Sequence, residues 1–323
     1  SAVGAQRIAI TGLATPLAQR LVERLLQAEA APALLGLDVR RPLRQHERLA
    51  FCDVDLTDPT VDARLADVLQ RERIDTVVHL AFRRFPSSDV DYDHDLETVG
   101  SFALLAACAA AKVRRLVVQS STMAYGAHAS NPNFLTESHP LRGHPDAHNV
   151  QNRVEVESIL ADWTRRHPDV QVSVLRHCWV MGPTWFDRVV EFFERSRIPT
   201  VLGYDPLLQF VHERDLVDAF ERAALEAHPG VFNVVGRGVA PLSTLLALAG
   251  KRNVAVPRPV LYRTAWLASQ GGTGDPPAGF FDYLRFLWVA DGARGWREFG
   301  EPIYTTTEAW SAFVGSRRLR RLG

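Results

Sequence analysis

The stretch Arg7 to Leu26, RIAITGLATPLAQRLVERLL, limits the folds open to this chain more than any other. Ile8 and Ile10 give it the β-branched alternation of a buried strand, Gly12 supplies a tight turn, and Leu17, Leu21 and Leu25 recur along one helix face. A strand feeding straight into a helix leaves unpaired N–H groups and a partial positive charge at the turn, a place that suits a pyrophosphate. Thr15 and Pro16 also admit a second reading. Threonine is a good N-cap and proline a good first helical residue, so the pair equally fits a plain helix start.

Downstream, Ala33 to Asp38 reads as a second strand ending in an acid at the distance expected of a ribose-binding carboxylate. Asp38 there accepts both hydroxyls of an adenosine ribose and repels a 2′-phosphate, which favours NAD over NADP. Arg40 and Arg41 pull the other way, since they can cover the adenine or hold that phosphate, and an Asp at a strand end also simply begins turns. A third strand is expected over Leu49 to Asp53, a helix over Asp58 to Arg71 and a fourth strand over Asp75 to Ala81. One βαβα register of this kind calls for a parallel sheet covered on both faces.

Among 323 residues, 37 lysines and arginines balance 37 aspartates and glutamates, so no global field recruits nucleic acid or an anionic membrane. Arg317, Arg318, Arg320 and Arg321 form the basic run, expected to be a solvated tail. Cys52, Cys108 and Cys178 are widely spaced in apolar runs and read as core residues, with neither a disulfide framework nor a zinc site. His128, His139 and His144 are irregularly spaced and give no metal-ligand pattern. No signal peptide or long apolar span is read, so the expectation is a soluble cytoplasmic protein without metal.

Later motifs share one order. Thr11 and Gly12 open a turn in which Thr15 and Ala18 stand for the second and third glycines of TGxxGxxG. His79-Leu80-Ala81 ends the fourth strand, Ser120-Ser121 precedes Tyr125-Gly126, Leu175-Arg176 leads to Gly182-Pro183, and Phe210-Val211-His212 precedes Asp215. In this series the chain resembles the extended short-chain dehydrogenase/reductase family of NAD-dependent epimerases and dehydratases. The resemblance implies an α/β fold, a Rossmann-type doubly wound parallel sheet over 1–178 completed by about 207–227. A smaller, mostly helical substrate lobe over 179–323 goes with it. It further implies NAD or NADP as cofactor, held by Gly12, Thr15, Asp38, Arg40, Asp55, Leu56, Leu80, Ala81 and Arg153. It makes Ser121 the active-site hydroxyl and Tyr125 a packing or substrate-wall residue. Other implications are a small-molecule substrate and a homodimer built on the helices Leu96 to Ala111 and Asn149 to Trp163.

Departures from the family are concentrated where the chemistry should be. The resembled enzymes need a tyrosine acid/base four residues before a lysine that lowers its pKa. The register set by Glu157 and Leu160 puts Asn149 at the tyrosine position and Arg153 at the lysine position. Asparagine transfers no proton at accessible pH, and Arg153 has no phenol to activate. Glu97 stands for an asparagine, and Phe82, Arg83 and Arg84 stand where small residues usually line the cofactor groove. His148 is a candidate substitute acid/base. Trp185, Phe186, Phe192 and Phe193 read as core or as the wall of an apolar pocket.

The leading expectation is therefore a divergent NAD(P)-binding protein without the usual Tyr/Lys chemistry. An active nucleotide-sugar epimerase, dehydratase or reductase using Ser121 and a substitute base is the alternative, and a non-catalytic scaffold or sensor a third reading. In the second half, helices are expected around Leu242 to Ala249, Val260 to Ala268 and Phe280 to Val289. Gly271 to Pro277 reads as a flexible loop and not a phosphate cradle, because no strand leads into it.

Overall fold

The computed structural model describes residues 6–42, 45–85, 89–270 and 277–322. β1 (Arg7–Thr11), α1 (Pro16–Gln27), β2 (Ala33–Asp38), β3 (Leu49–Asp53), α2 (Val61–Arg71) and β4 (Thr76–His79) form the first βαβ run. α3 (Val90–His94) and a π-helical turn Asp95–Val99 lead into α4 (Gly100–Ala110), β5 (Arg115–Ser121), α5 (His148–Arg166) and β6 (Gln171–His177). After β7 (Trp179–Met181) come α6 (Arg188–Glu194), β8 (Arg197–Val201), β9 (Leu207–Leu208), β10 (Phe210–His212), α7 (Glu213–Leu225) and β11 (Gly230–Val234). β12 (Ala240–Pro241), α8 (Leu242–Leu248), β13 (Arg252–Val256), α9 (Arg258–Gln270), a 3-10 segment Ala278–Leu284, α10 (Ala293–Phe299) and α11 (Thr306–Leu322) complete the order.

Seven strands form one parallel sheet in the order β3-β2-β1-β4-β5-β6-β11. Successive side chains of a strand point to opposite faces, and both faces are buried here. Ile8, Ile10 and Val78 face a core shared with α1 and α7, while Ala9 and Val77 face a second core shared with α2, α4 and α5. The leucine stripe of α1 is realised, with Leu17, Leu21 and Leu25 buried. Strand order reverses between β1 and β4, and the crevice above their carboxyl ends is where open α/β sheets bind ligands.

Several expectations are corrected. The helix expected over Leu96 to Ala111 begins with the π-helical turn, and Glu97 is buried within it. The helix expected over Phe280 to Val289 is a 3-10 segment. Phe280, Phe281, Tyr283 and Leu284 are all buried there, so the segment lacks the polar face of a surface α-helix. The strand expected over Leu207 to His212 splits at Gln209, whose side chain bonds both backbone groups of Ala290. Arg317 belongs to α11 and not to a solvated tail: its guanidinium donates to Pro183 O, Trp185 O and Glu194. Side-chain packing brought it there, with Trp310 and Phe313 of the same helix fully buried. Gly271 to Asp275 and Pro276, the expected loop, lie outside the described residues.

Candidate active site

Gly12 turns the chain between β1 and α1 at φ 67°. A Cβ at that position would lie 2.4 Å from Leu80 O, so the turn packs directly on the end of β4. Leu80 itself is buried and acts through its backbone. Thr15 caps α1: its hydroxyl donates to Gly12 O at 2.8 Å and accepts from Ala18 N at 3.3 Å. Pro16 is the first helical residue, so the helix-start reading of this pair is realised. Gly12→Ala is expected to cost about 1–3 kcal/mol from the left-handed backbone alone. An unchanged urea midpoint for that variant would refute the role assigned to the turn.

Above the turn lies an outer cavity of about 300 Å³, lined by Gly12, Thr15, Asp38, Arg40, Asp55, Leu56 and Ala81 among others. The sequence thus brings seven of its nine expected nucleotide contacts together. Asp38 is held by backbone donors: Ala14 N gives to one oxygen at 3.0 Å and Arg40 N to the other at 3.1 Å. Asp55 accepts from the Thr57 N–H and hydroxyl. Beneath the cavity His79 is buried in a hydrogen-bonded chain. Ser101 gives its proton to Glu97 O, so Ser101 Oγ accepts from His79 Nε2 at 2.8 Å, and His79 Nδ1 accepts from Thr11 Oγ1 at 2.7 Å. Burial, reinforced by the Arg153 charge, pulls His79 down to about 3, so this imidazole is neutral and structural.

An inner cavity of about 140 Å³ continues from it, with Ser121, Asn149, Arg153, His177, Trp179 and Phe280 in its wall. Thr15, Phe82, Arg83 and Arg84 line both cavities and form the neck between them. Ser121 Oγ accepts from Met123 N at 3.1 Å, which leaves its hydroxyl proton free to point inward. Arg153 lies 3.5 Å over the Phe82 ring and donates to Gln119 O at 3.0 Å. Burial lowers its pKa to about 10, against the opposing charges of Glu97 and Glu157, so it stays cationic at neutral pH. Glu97 is tied by Arg83 N at 2.7 Å and Asn152 Nδ2 at 3.0 Å, and burial holds its pKa above the usual carboxylate range.

His148 is exposed at the first residue of α5 and is not among the described residues lining either cavity. His177, which sequence reasoning passed over, takes the inner position. It pairs with Ser121 in the β5–β6 register, and its place at a strand end after Leu175-Arg176 was the available signal. Its Nε2 meets Gln119 Nε2 at 2.9 Å and its Nδ1 meets Cys178 O at 2.7 Å, so the proton sits on Nδ1. Burial outweighs that backbone contact and pulls its pKa to about 4. Trp185 lines the inner cavity while Phe192 and Phe193 are core. Tyr125 is a packing residue: fully buried, it donates to Asn233 Oδ1 at 2.8 Å and accepts from Arg176 at 2.9 Å. Cys108 and Cys178 are buried, and among the described residues no cluster suits a metal ion.

A doubly wound parallel sheet with a glycine turn and an acid-lined crevice at its switch point defines a nucleotide-binding α/β protein. A sequence model of the NAD dependent epimerase/dehydratase family matches residues 8–235, and the chain belongs to that family. An uncharacterized protein of Mycobacterium tuberculosis is 29% identical over 320 residues, covering 97% of this chain and 84% of that protein. The fold is that of a Bacillus anthracis dTDP-glucose 4,6-dehydratase solved with NAD, at TM-score 0.73, 17% identity and 98% coverage of both chains. A Thermotoga maritima UDP-glucose 4-epimerase solved with UDP-glucose gives TM-score 0.73 at 19% identity, covering 98% of this chain and all of that one. No helix among the described residues is long and apolar enough to cross a membrane.

Proposed function

We propose that this protein binds a nicotinamide dinucleotide, with NAD favoured, and does not carry out the tyrosine-dependent proton transfer of ordinary alcohol–ketone redox chemistry. The observation that carries the reading is the inner cavity. Ser121 faces Asn149 and Arg153, and no tyrosine is among the described residues of its wall. The outer cavity fits an adenosine: Asp38 and Asp55 offer acceptors, and Gly12 keeps the turn free of a side chain. A bound dinucleotide supplies a hydride donor or acceptor. The residues here bind and orient it, with Arg40 and Arg84 as cations along the outer cavity.

The active-enzyme reading has one observation behind it, the neutral imidazole of His177 beside Ser121 in the strand register. That imidazole is a weak base at neutral pH, because burial depresses its pKa to about 4.

Calorimetry with NAD(H) and NADP(H), combined with a ketone and nucleotide-sugar turnover screen, tests both halves. Binding weakened by Asp38→Ala, with no turnover, is the expected result. Absence of both heat and thermal shift at millimolar cofactor refutes the binding. Turnover of a ketone or nucleotide sugar refutes the expected lack of activity, and its loss in Ser121→Ala or His177→Gln then supports the active enzyme.

A further inference from the structure

The small lobe carries a surface that the groove does not use. Residues 251–270, KRNVAVPRPVLYRTAWLASQ, contain Lys251, Arg252, Arg258 and Arg263 and no aspartate or glutamate, in a chain whose 37 cations and 37 acids balance overall. Arg252–Val256 of this run form β13 and Arg258–Gln270 form α9. α9 buries Leu261 and Ala265, and Tyr262 donates a hydrogen bond to Asp282 of the 3-10 segment. At about 100° per residue, Val260, Arg263, Trp266 and Leu267 fall on the side opposite Leu261 and Ala265. Val260, Trp266 and Leu267 are 53%, 55% and 54% exposed, and Arg263 is exposed among them. Arg252 to Ala255 of β13 are exposed as well, and Arg252 pairs in register with the exposed Arg197 of β8. Like charges side by side on paired strands repel unless an anion shields them.

We infer that β13 and α9 seat the small lobe on an anionic lipid surface. Charge complementarity sets the sign of the partner: a run of cations without one acid matches a layer of phosphates. The apolar stripe sets its nature. Val260, Trp266 and Leu267 flank Arg263 on one face, the pattern of a helix lying at the headgroup boundary with its apolar side chains inserted. Nucleic acid offers the same phosphates but no layer for the leucine and valine. The surface is also close to the site, since α9 packs on the segment whose Phe280 lines the inner cavity.

Cosedimentation of the full chain with phosphatidylcholine vesicles, with and without phosphatidylglycerol, tests the inference. Binding is expected only with phosphatidylglycerol and is expected to fall with salt. Arg252→Glu with Arg263→Glu, and separately Trp266→Ser with Leu267→Ser, are each expected to weaken it roughly tenfold or more. Both pairs replace exposed side chains, so the thermal midpoint should hold, and it is measured alongside. No binding at low salt, equal binding to neutral vesicles, or binding that survives both double variants would overturn the inference. It would equally be overturned if light scattering showed that this face pairs two copies in solution, or if duplex DNA bound more tightly through the same arginines.

Discussion

Arg176→Met is expected to lower the free energy of unfolding by about 3–5 kcal/mol, the cost of leaving one member of a buried ion pair alone. Arg176 on β6 and Glu157 on α5 are each 7% exposed. The guanidinium donates from Nε to both carboxylate oxygens at 2.9 and 3.0 Å and from Nη2 at 2.6 Å. Its Nη1 reaches the Tyr125 hydroxyl at 2.9 Å. Burial works against the charge, but the Glu157 hydrogen bonds and carboxylate outweigh it and push the Arg176 pKa up. Methionine keeps much of the volume and leaves Glu157 with Ser120 as its remaining donor. Denaturant unfolding reads the loss, and a value below about 1 kcal/mol would mean the pair behaves like a surface one. Adding Glu157→Leu should recover most of the loss, because an apolar pair of similar volume replaces a buried ionic one at little cost.

Acid should expose His79 in a second measurement. Its pKa is depressed from 6.5 to about 3 in the fold, so the unfolded chain takes up a proton between those values and the folded chain does not. The contribution of this imidazole is therefore fully present above about pH 6.5 and lost as pH falls toward 3. Glu97 and Asp187, whose pKa values burial raises, act in the opposite direction, so the total slope mixes signs. Comparison with His79→Gln isolates the imidazole. The variant should carry a constant packing cost at neutral pH and gain on the parent by about 1.4 kcal/mol per pH unit below pH 6.5, or roughly 3 kcal/mol over two units. A stability gap that stays constant from pH 7 to pH 4.5 would show that His79 is protonated in the fold.

Much of the groove was legible because its determinants are local. The alternation of Ile8 and Ile10, the leucine spacing of α1 and the acid at the end of β2 are periodicities and distances along the chain, which a parallel sheet turns into neighbours at its carboxyl edge. The outer cavity accordingly gathers Gly12, Asp38, Asp55 and Leu56 as expected. The inner cavity was less legible. His148 precedes Asn149 in sequence yet faces solvent, because residues one apart on a helix point in different directions. His177 lies far along the chain, and only strand pairing sets it beside Ser121.

The sequence by itself determined the alternating strands and helices of the parallel sheet, the family they belong to, and the presence of asparagine at 149 and arginine at 153. Such properties depend on residue identity and on spacings of two to four residues. Tertiary structure alone decided that Arg153 lies on Phe82, that Arg317 clamps the segment at Trp185, and that Val260, Trp266 and Leu267 of α9 stay exposed beside Arg263. Those outcomes depend on which distant side chains share a cavity or a surface. That sharing is settled when apolar faces pack together, and no periodicity along the chain records it.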